Sequence, residues 1–102
     1  MSDWRLIRKV ASACLRELKT HFTALEQSLA ESNTQACVLH SHSMKGVAAT
    51  LGAARVNERA AQMETLAKAG KLLEIEPLLL DMQRLLDELE PQVATFLERV
   101  PE

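Results

Sequence analysis

Apolar residues recur three and four positions apart along nearly all of this 102-residue chain, and that period leaves few folds open. The spacing lays side chains along one side of an α-helix, which turns about 100° per residue. One stripe runs Trp4, Ile7, Ala11, Cys14, Leu18, Phe22, Leu25 and Leu29. Another runs Ile75, Leu79, Met82, Leu86, Leu89, Val93, Phe96 and Val100. Two shorter stripes lie between them: Cys37, Met44, Ala48 and Leu51, then Val56, Ala60, Met63 and Ala67. Hydrophobic residues make up 47% of the chain but aromatic ones only 3%, so the core is built from Leu and Ala. That suits helices packed on helices and not a β-sandwich.

The punctuation between stripes gives four helices. The first spans about Asp3 to Ala30, with Ser2 as N-cap and Asp3 at the positive end of the helix dipole. Glu31-Ser32-Asn33-Thr34 is a turn, and the second helix runs from there to Gly52. The third covers about Ala53 to Ala69 and stops at Gly70, a natural residue just past a helix end. Lys71 to Glu74 bridges to the last helix, whose first turn is marked by Glu76-Pro77. Pro91 lacks an amide proton and crowds the preceding turn, which predicts a kink or break there. The expected fold is all-α, one antiparallel up-down-up-down four-helix bundle over residues 1–102.

Composition excludes several functions. A formal net charge of −2 gives no pull toward nucleic acid or anionic membrane. No apolar run approaches the roughly 20 residues of a membrane span. Met1-Ser2-Asp3-Trp4 leads into Arg5, Arg8 and Lys9 with no hydrophobic stretch, so no signal peptide is expected. Cys14 and Cys37 form no Cys-x-x-Cys and sit on core stripes, which reads as buried thiols in a reducing, cytoplasmic setting.

The second helix carries the chemistry. On its wheel His42 falls nearly opposite the core stripe, among Gln35, Val38, Lys45, Gly46 and Ala49. Lys45 and Gly46 lie three and four residues on, the spacing at which helical side chains meet. A glycine inside a helix costs roughly 1 kcal/mol relative to alanine, and Val38, Leu39 and Ala49 put apolar surface where a solvated face carries charge. An imidazole with an unperturbed pKa near 6.5 is a nucleophile at neutral pH without an added base. An ammonium within reach stabilises a transferred anionic group such as phosphoryl. Gly46 gives a partner's active site clearance to close over His42.

Other chemistries fit poorly. His40 and His42 point about 200° apart on a helix, so they are no zinc pair. His40 lies on the core-side flank with Val47, and His21 at the edge of the first stripe. Ser41 and Ser43 flank His42, but no carboxylate completes a hydrolytic triad. There is no glycine-rich phosphate loop, so no kinase or nucleotide-binding activity of its own is expected. The alternatives to phosphoryl chemistry are a helical adaptor, with its histidine buried or hydrogen-bonded shut, and a metal-binding bundle using His21, His40 and His42.

His42-Ser43-Met44-Lys45-Gly46 resembles the His-x-x-Lys-Gly signature of histidine phosphotransfer (Hpt) domains of bacterial multistep phosphorelays. The similarity continues through Leu51-Gly52-Ala53 and at Met63-Glu64-Thr65-Leu66, which resembles the Leu-Glu-x-Leu stretch of the next signature helix. Val47 departs from the family's usual Ser or Ala, at the edge of the core stripe. The resemblance implies a reversible carrier that accepts a phosphoryl group on His42 from a receiver-domain aspartate and passes it to another receiver. It further implies charge stabilisation by Lys45, clearance at Gly46, and a docking surface of Gln35, Val38, Leu39, Ala49 and Glu64. At the position of Glu64 the family holds a Glu or Gln close to the phosphorylated histidine. The implied partners are response-regulator receiver domains, with a hybrid sensor kinase as a further context. The bundle itself is expected to be a monomer without cofactor or metal, Mg²⁺ belonging to the receiver.

Overall fold

The computed structural model describes residues 3–100, and these form four helices: α1 (Trp4–Ala30), α2 (Thr34–Leu51), α3 (Ala54–Lys68) and α4 (Leu72–Arg99). Each helix packs on the next, and α4 returns against α1, closing an antiparallel bundle of 46 × 22 × 19 Å. The turns between helices follow from local chemistry. Asn33 caps α2, its side chain accepting from the Ala36 amide at 3.0 Å. Gly52 adopts the left-handed conformation at φ 78°, which lets the Ala53 amide reach back to the Ala48 carbonyl at 2.9 Å. Gly70, at φ 74°, does the same after α3, where the Lys71 amide donates to the Leu66 carbonyl. At the start of α1 the expected Ser2 cap lies outside the described residues. Asp3 is the cap seen there, accepting from the amides of Arg5 and Leu6.

The four stripes meet in one core. Leu18, Leu25, Cys37, Met44, Met63, Ile75 and Met82 are fully buried. Both cysteines are buried and free. Two hydroxyls join them, Ser28 and Ser41, each donating to the carbonyl one turn back, Ala24 and Cys37. That bond removes the penalty of burying an unpaired hydroxyl.

Helix lengths explain where the stripes fail. At 1.5 Å per residue, α1 and α4 are each about 40 Å long, whereas α2 and α3 reach only about 27 and 22 Å. The α2–α3 hairpin therefore stops short of one end of the bundle. Trp4 and Phe96, expected in the core, lie beyond it and are 39% and 48% exposed.

Helix α4 starts earlier than its first proline suggested and does not break at its second. It begins at Leu72, ahead of Glu76-Pro77, and runs unbroken through Pro91 to Arg99. Both prolines are exposed, and so are Leu73 and Asp87, whose carbonyls lose the amide four residues on. A carbonyl on the wet side of a helix can bond water instead. Meanwhile Leu86 and Leu89 before Pro91 and Val93 after it are buried and hold both sides to the core. Cross-links on the rim tie α4 to its neighbours, Lys19 to Glu90 at 2.8 Å and Arg59 to Asp81 at 2.6 Å.

Candidate functional site

The α2–α3 pairing brings together residues that lie far apart in sequence. α3 turns Val56, Ala60, Met63 and Ala67 into the core, all buried. Glu64 sits beside Met63, one turn from both Ala60 and Ala67, so it enters the α2–α3 seam and is only 4% exposed. Across the seam, α2 presents His42 and Lys45. Glu64 Oε2 lies 2.7 Å from His42 Nδ1, and Glu64 Oε1 lies 2.6 Å from Lys45 Nζ. Lys68, one turn further along α3, places its Nζ 3.5 Å from the same Oε2. Asn57 completes the seam by donating from Nδ2 to the Lys45 carbonyl at 2.8 Å.

Electrostatics favours the charged form of Glu64. The hydrogen bond from Lys45 is the largest influence on the Glu64 carboxyl, holding its pKa below the ordinary value; the His42 bond and the charges of Lys45 and Lys68 act in the same direction, and burial opposes them. Glu64 is therefore an anion at neutral pH, and an anionic carboxylate only accepts hydrogen bonds. The bond at 2.7 Å requires the proton to sit on His42 Nδ1. In the neutral ring the lone pair is then on Nε2, and no hydrogen-bond partner for that nitrogen occurs among the described residues. The His42 side chain is 65% exposed, so that nitrogen is open to an incoming group.

The surroundings match a face left clear. A Cβ built on Gly46 would have nothing within 4 Å. Gln35 and Ala49 are exposed, and Leu39 is 59% exposed. Val38 differs, since it is half-buried and packs against the core. Lys45 is half-buried and ion-paired to Glu64. Glu64, grouped with the docking residues, is instead buried in the seam and hydrogen-bonded to His42. Lys68 joins the cluster through its i, i+4 relation to Glu64, a spacing legible in the sequence.

The remaining histidines form a separate feature on the other side of α2. His40 Nδ1 lies 3.0 Å from His21 Nδ1, with both rings half-buried between α1 and α2. Burial first, then the charge of His21, lowers the pKa of His40. His42 takes no part in this pair, and no group of three or more His, Cys, Asp or Glu suited to a metal occurs among the described residues. The three-histidine metal bundle is thus not what the helices assemble. Nor is His42 buried or shut, the arrangement that would mark a bare adaptor. No helix among the described residues is long and apolar enough to cross a membrane.

Residues 9–92, most of the chain, match the family model of the Hpt domain. No curated protein and no solved structure matches the chain significantly.

Proposed function

Because the chain belongs to the Hpt domain family, whose members carry phosphoryl groups on histidine in phosphorelays and dock response-regulator receiver domains, we propose that His42 is its phosphoryl acceptor. The observation that supports this is the pairing of His42 Nδ1 with a buried carboxylate while the Nε2 edge stays exposed. In this reading the Nε2 lone pair attacks the phosphorus of a receiver's aspartyl phosphate. The P–O bond breaks, and its electron pair returns to the aspartate. The reverse reaction hands the phosphoryl group to a second receiver.

Lys45 supplies positive charge to the phosphoryl oxygens as they leave one partner for the other. Gly46 lets the receiver's active site close over the helix, and the apolar surface of Leu39 and Ala49 receives its docking face. Mg²⁺ and the aspartyl phosphate come from the receiver, so the bundle needs no cofactor of its own. In this reading the chain works as one monomeric domain over residues 1–102, in the cytoplasm, alone or attached to a hybrid sensor kinase.

The test is to incubate the protein with phosphorylated receiver domains and assay the bound phosphate. Acid-labile, base-stable phosphate mapping to His42 is expected. Phosphate on another residue, or none with any receiver of the same cell, overturns the assignment.

A further inference from the structure

We propose that Glu64 holds the phosphorylated His42 ring as an imidazolium, which makes this domain a fast donor with a short-lived phosphohistidine. The inference rests on the assignment of His42 as acceptor and adds how its phosphorylated state is controlled.

The geometry leads there by proton counting. The form that can react is the neutral ring, with its proton on Nδ1 facing Glu64 Oε2 at 2.7 Å. When Nε2 forms its bond to phosphorus, no proton has to leave Nδ1. The product ring then bears phosphoryl on Nε2 and hydrogen on Nδ1, and carries one positive charge. In water that proton is held loosely. Here it faces a buried anion, and a hydrogen bond to a charged partner in a poorly solvated seam is worth more than one to water.

Glu64 must also refuse the proton itself. It is positioned to do so, because Lys45 at 2.6 Å and Lys68 at 3.5 Å both stabilise its charged form. Among the described residues, Glu64 is the titratable group bonded to the His42 ring, and the two lysines reach Glu64 itself, Lys45 from α2 and Lys68 from α3. The carboxylate is therefore a counter-ion and not a base. Glu64 is a positioning residue: it touches the ring and leaves the phosphorus to His42.

The consequence lies in the leaving group. When phosphoryl departs from an imidazolium, the P–N bond breaks, its electron pair stays on Nε2, and neutral imidazole leaves. Departure from a ring without the Nδ1 proton would expel an imidazolate anion, a far poorer leaving group. A ring kept protonated therefore donates readily, to a receiver carboxylate or more slowly to water, at pH values where an unpaired phosphohistidine has lost its proton.

The test compares the wild type with Glu64→Gln, which keeps the shape and a hydrogen-bonding oxygen but no charge. Both are phosphorylated with phosphoramidate, and loss of phosphate is followed from pH 5 to 10. An opposite charge at this range moves a titration by about one to three units. The wild type should hold its fast rate to a pH higher by at least about one unit. Near pH 8 the Gln variant should keep its phosphate about tenfold longer or more, one unit being a factor of ten. In the wild type alone, ¹⁵N shifts of the phosphorylated ring at pH 8 should report a protonated Nδ1, a readout that survives even if the variant folds poorly. Equal pH profiles, or an unprotonated Nδ1 in the wild type, overturn this inference while leaving His42 as acceptor. Failure of His42 to hold phosphate in the wild type overturns the function itself.

Discussion

Helix α2 carries two histidines two residues apart, and they end in opposite situations. His42 faces α3 and meets a buried carboxylate at 2.7 Å. His40 faces α1 and meets another imidazole at 3.0 Å. The first pairing sets an anionic acceptor against Nδ1 and, in the neutral ring, leaves the lone pair on the exposed Nε2. In the second, one Nδ1 must donate and the other accept, so the two rings cannot both be cationic without losing the bond. The same side chain is thus a candidate nucleophile or an interface residue according to what the neighbouring helix offers it.

The most direct way to break this comparison is to delete each ring in turn. His42→Gln is expected to abolish phosphate acceptance while leaving the bundle folded, because the ring is exposed and off the core stripe. His40→Gln and His21→Gln should still accept phosphate. Radiolabel transfer from a phosphorylated receiver, with circular dichroism as the folding control, reads both. Phosphate retained by His42→Gln and lost with His40→Gln would exchange the two roles.

Removing the charge beside His42 should have a smaller but still large effect. Lys45→Ala is expected to slow single-turnover transfer about tenfold, the order of one lost charge-assisted contact to the transferred group. It should also cost about 2 kcal/mol of stability, since buried Glu64 loses its nearest donor. Lys45→Arg keeps the charge but changes reach and should fall between. Because Lys45 is half-buried and pinned, raising salt should narrow the gap between wild type and Ala only slightly. Equal transfer by Ala and wild type at low salt would leave Lys45 as a structural partner of Glu64.

The two histidine sites should also separate on a pH axis. Folded His40 binds a proton less readily than the unfolded chain does, because burial and His21 lower its pKa. Its contribution is present above the ordinary histidine value of about 6.5 and fades as pH falls below it. Folded Glu64 binds a proton less readily than an unfolded glutamate, chiefly because of Lys45. Its contribution is present above about pH 4.3 and is lost as pH falls through its depressed folded value. Urea unfolding between pH 8 and 3 should show two steps of falling stability. His40→Gln should remove the upper one and Glu64→Gln the lower. One step, unmoved by His40→Gln, would show that the α1–α2 imidazole pair carries no stability.

How far all this was legible differs along the chain. Four helices, their turns at Asn33, Gly52 and Gly70, and the stripe Val56, Ala60, Met63, Ala67 follow from spacing and caps, which are local. Ser41 lay in register with Cys37, Met44 and Ala48, so its burial was readable, and only its polarity hid it. Trp4 and Phe96 had the right period, but their exposure depends on α2 and α3 being shorter than their neighbours. The start signal at Pro77 and the break signal at Pro91 were outweighed by packing on the buried side of α4. The ring-to-ring contact of His21 and His40 depends on how α1 and α2 are rotated against each other, which no single-helix pattern encodes.

The smallest expected change is also the sharpest test of the contrast between the two faces of α2. One turn beyond His40 comes Met44, fully buried in the core. One turn beyond His42 comes Gly46, exposed and surrounded by open space. Nothing inside the bundle requires that glycine, since its backbone is helical and a side chain there would meet no neighbour. Gly46→Gln should therefore leave thermal stability equal or raise it by up to about 1 kcal/mol through better helix propensity. If the His42 face is kept bare for a partner, the more stable variant should nonetheless take phosphate more slowly from a receiver. It should react normally with phosphoramidate, which is small enough to reach Nε2 past the new side chain. A loss confined to the large donor assigns Gly46 to docking clearance. A loss with both donors places the defect in the His42 ring, and unchanged rates with both would mean that a partner approaches from elsewhere.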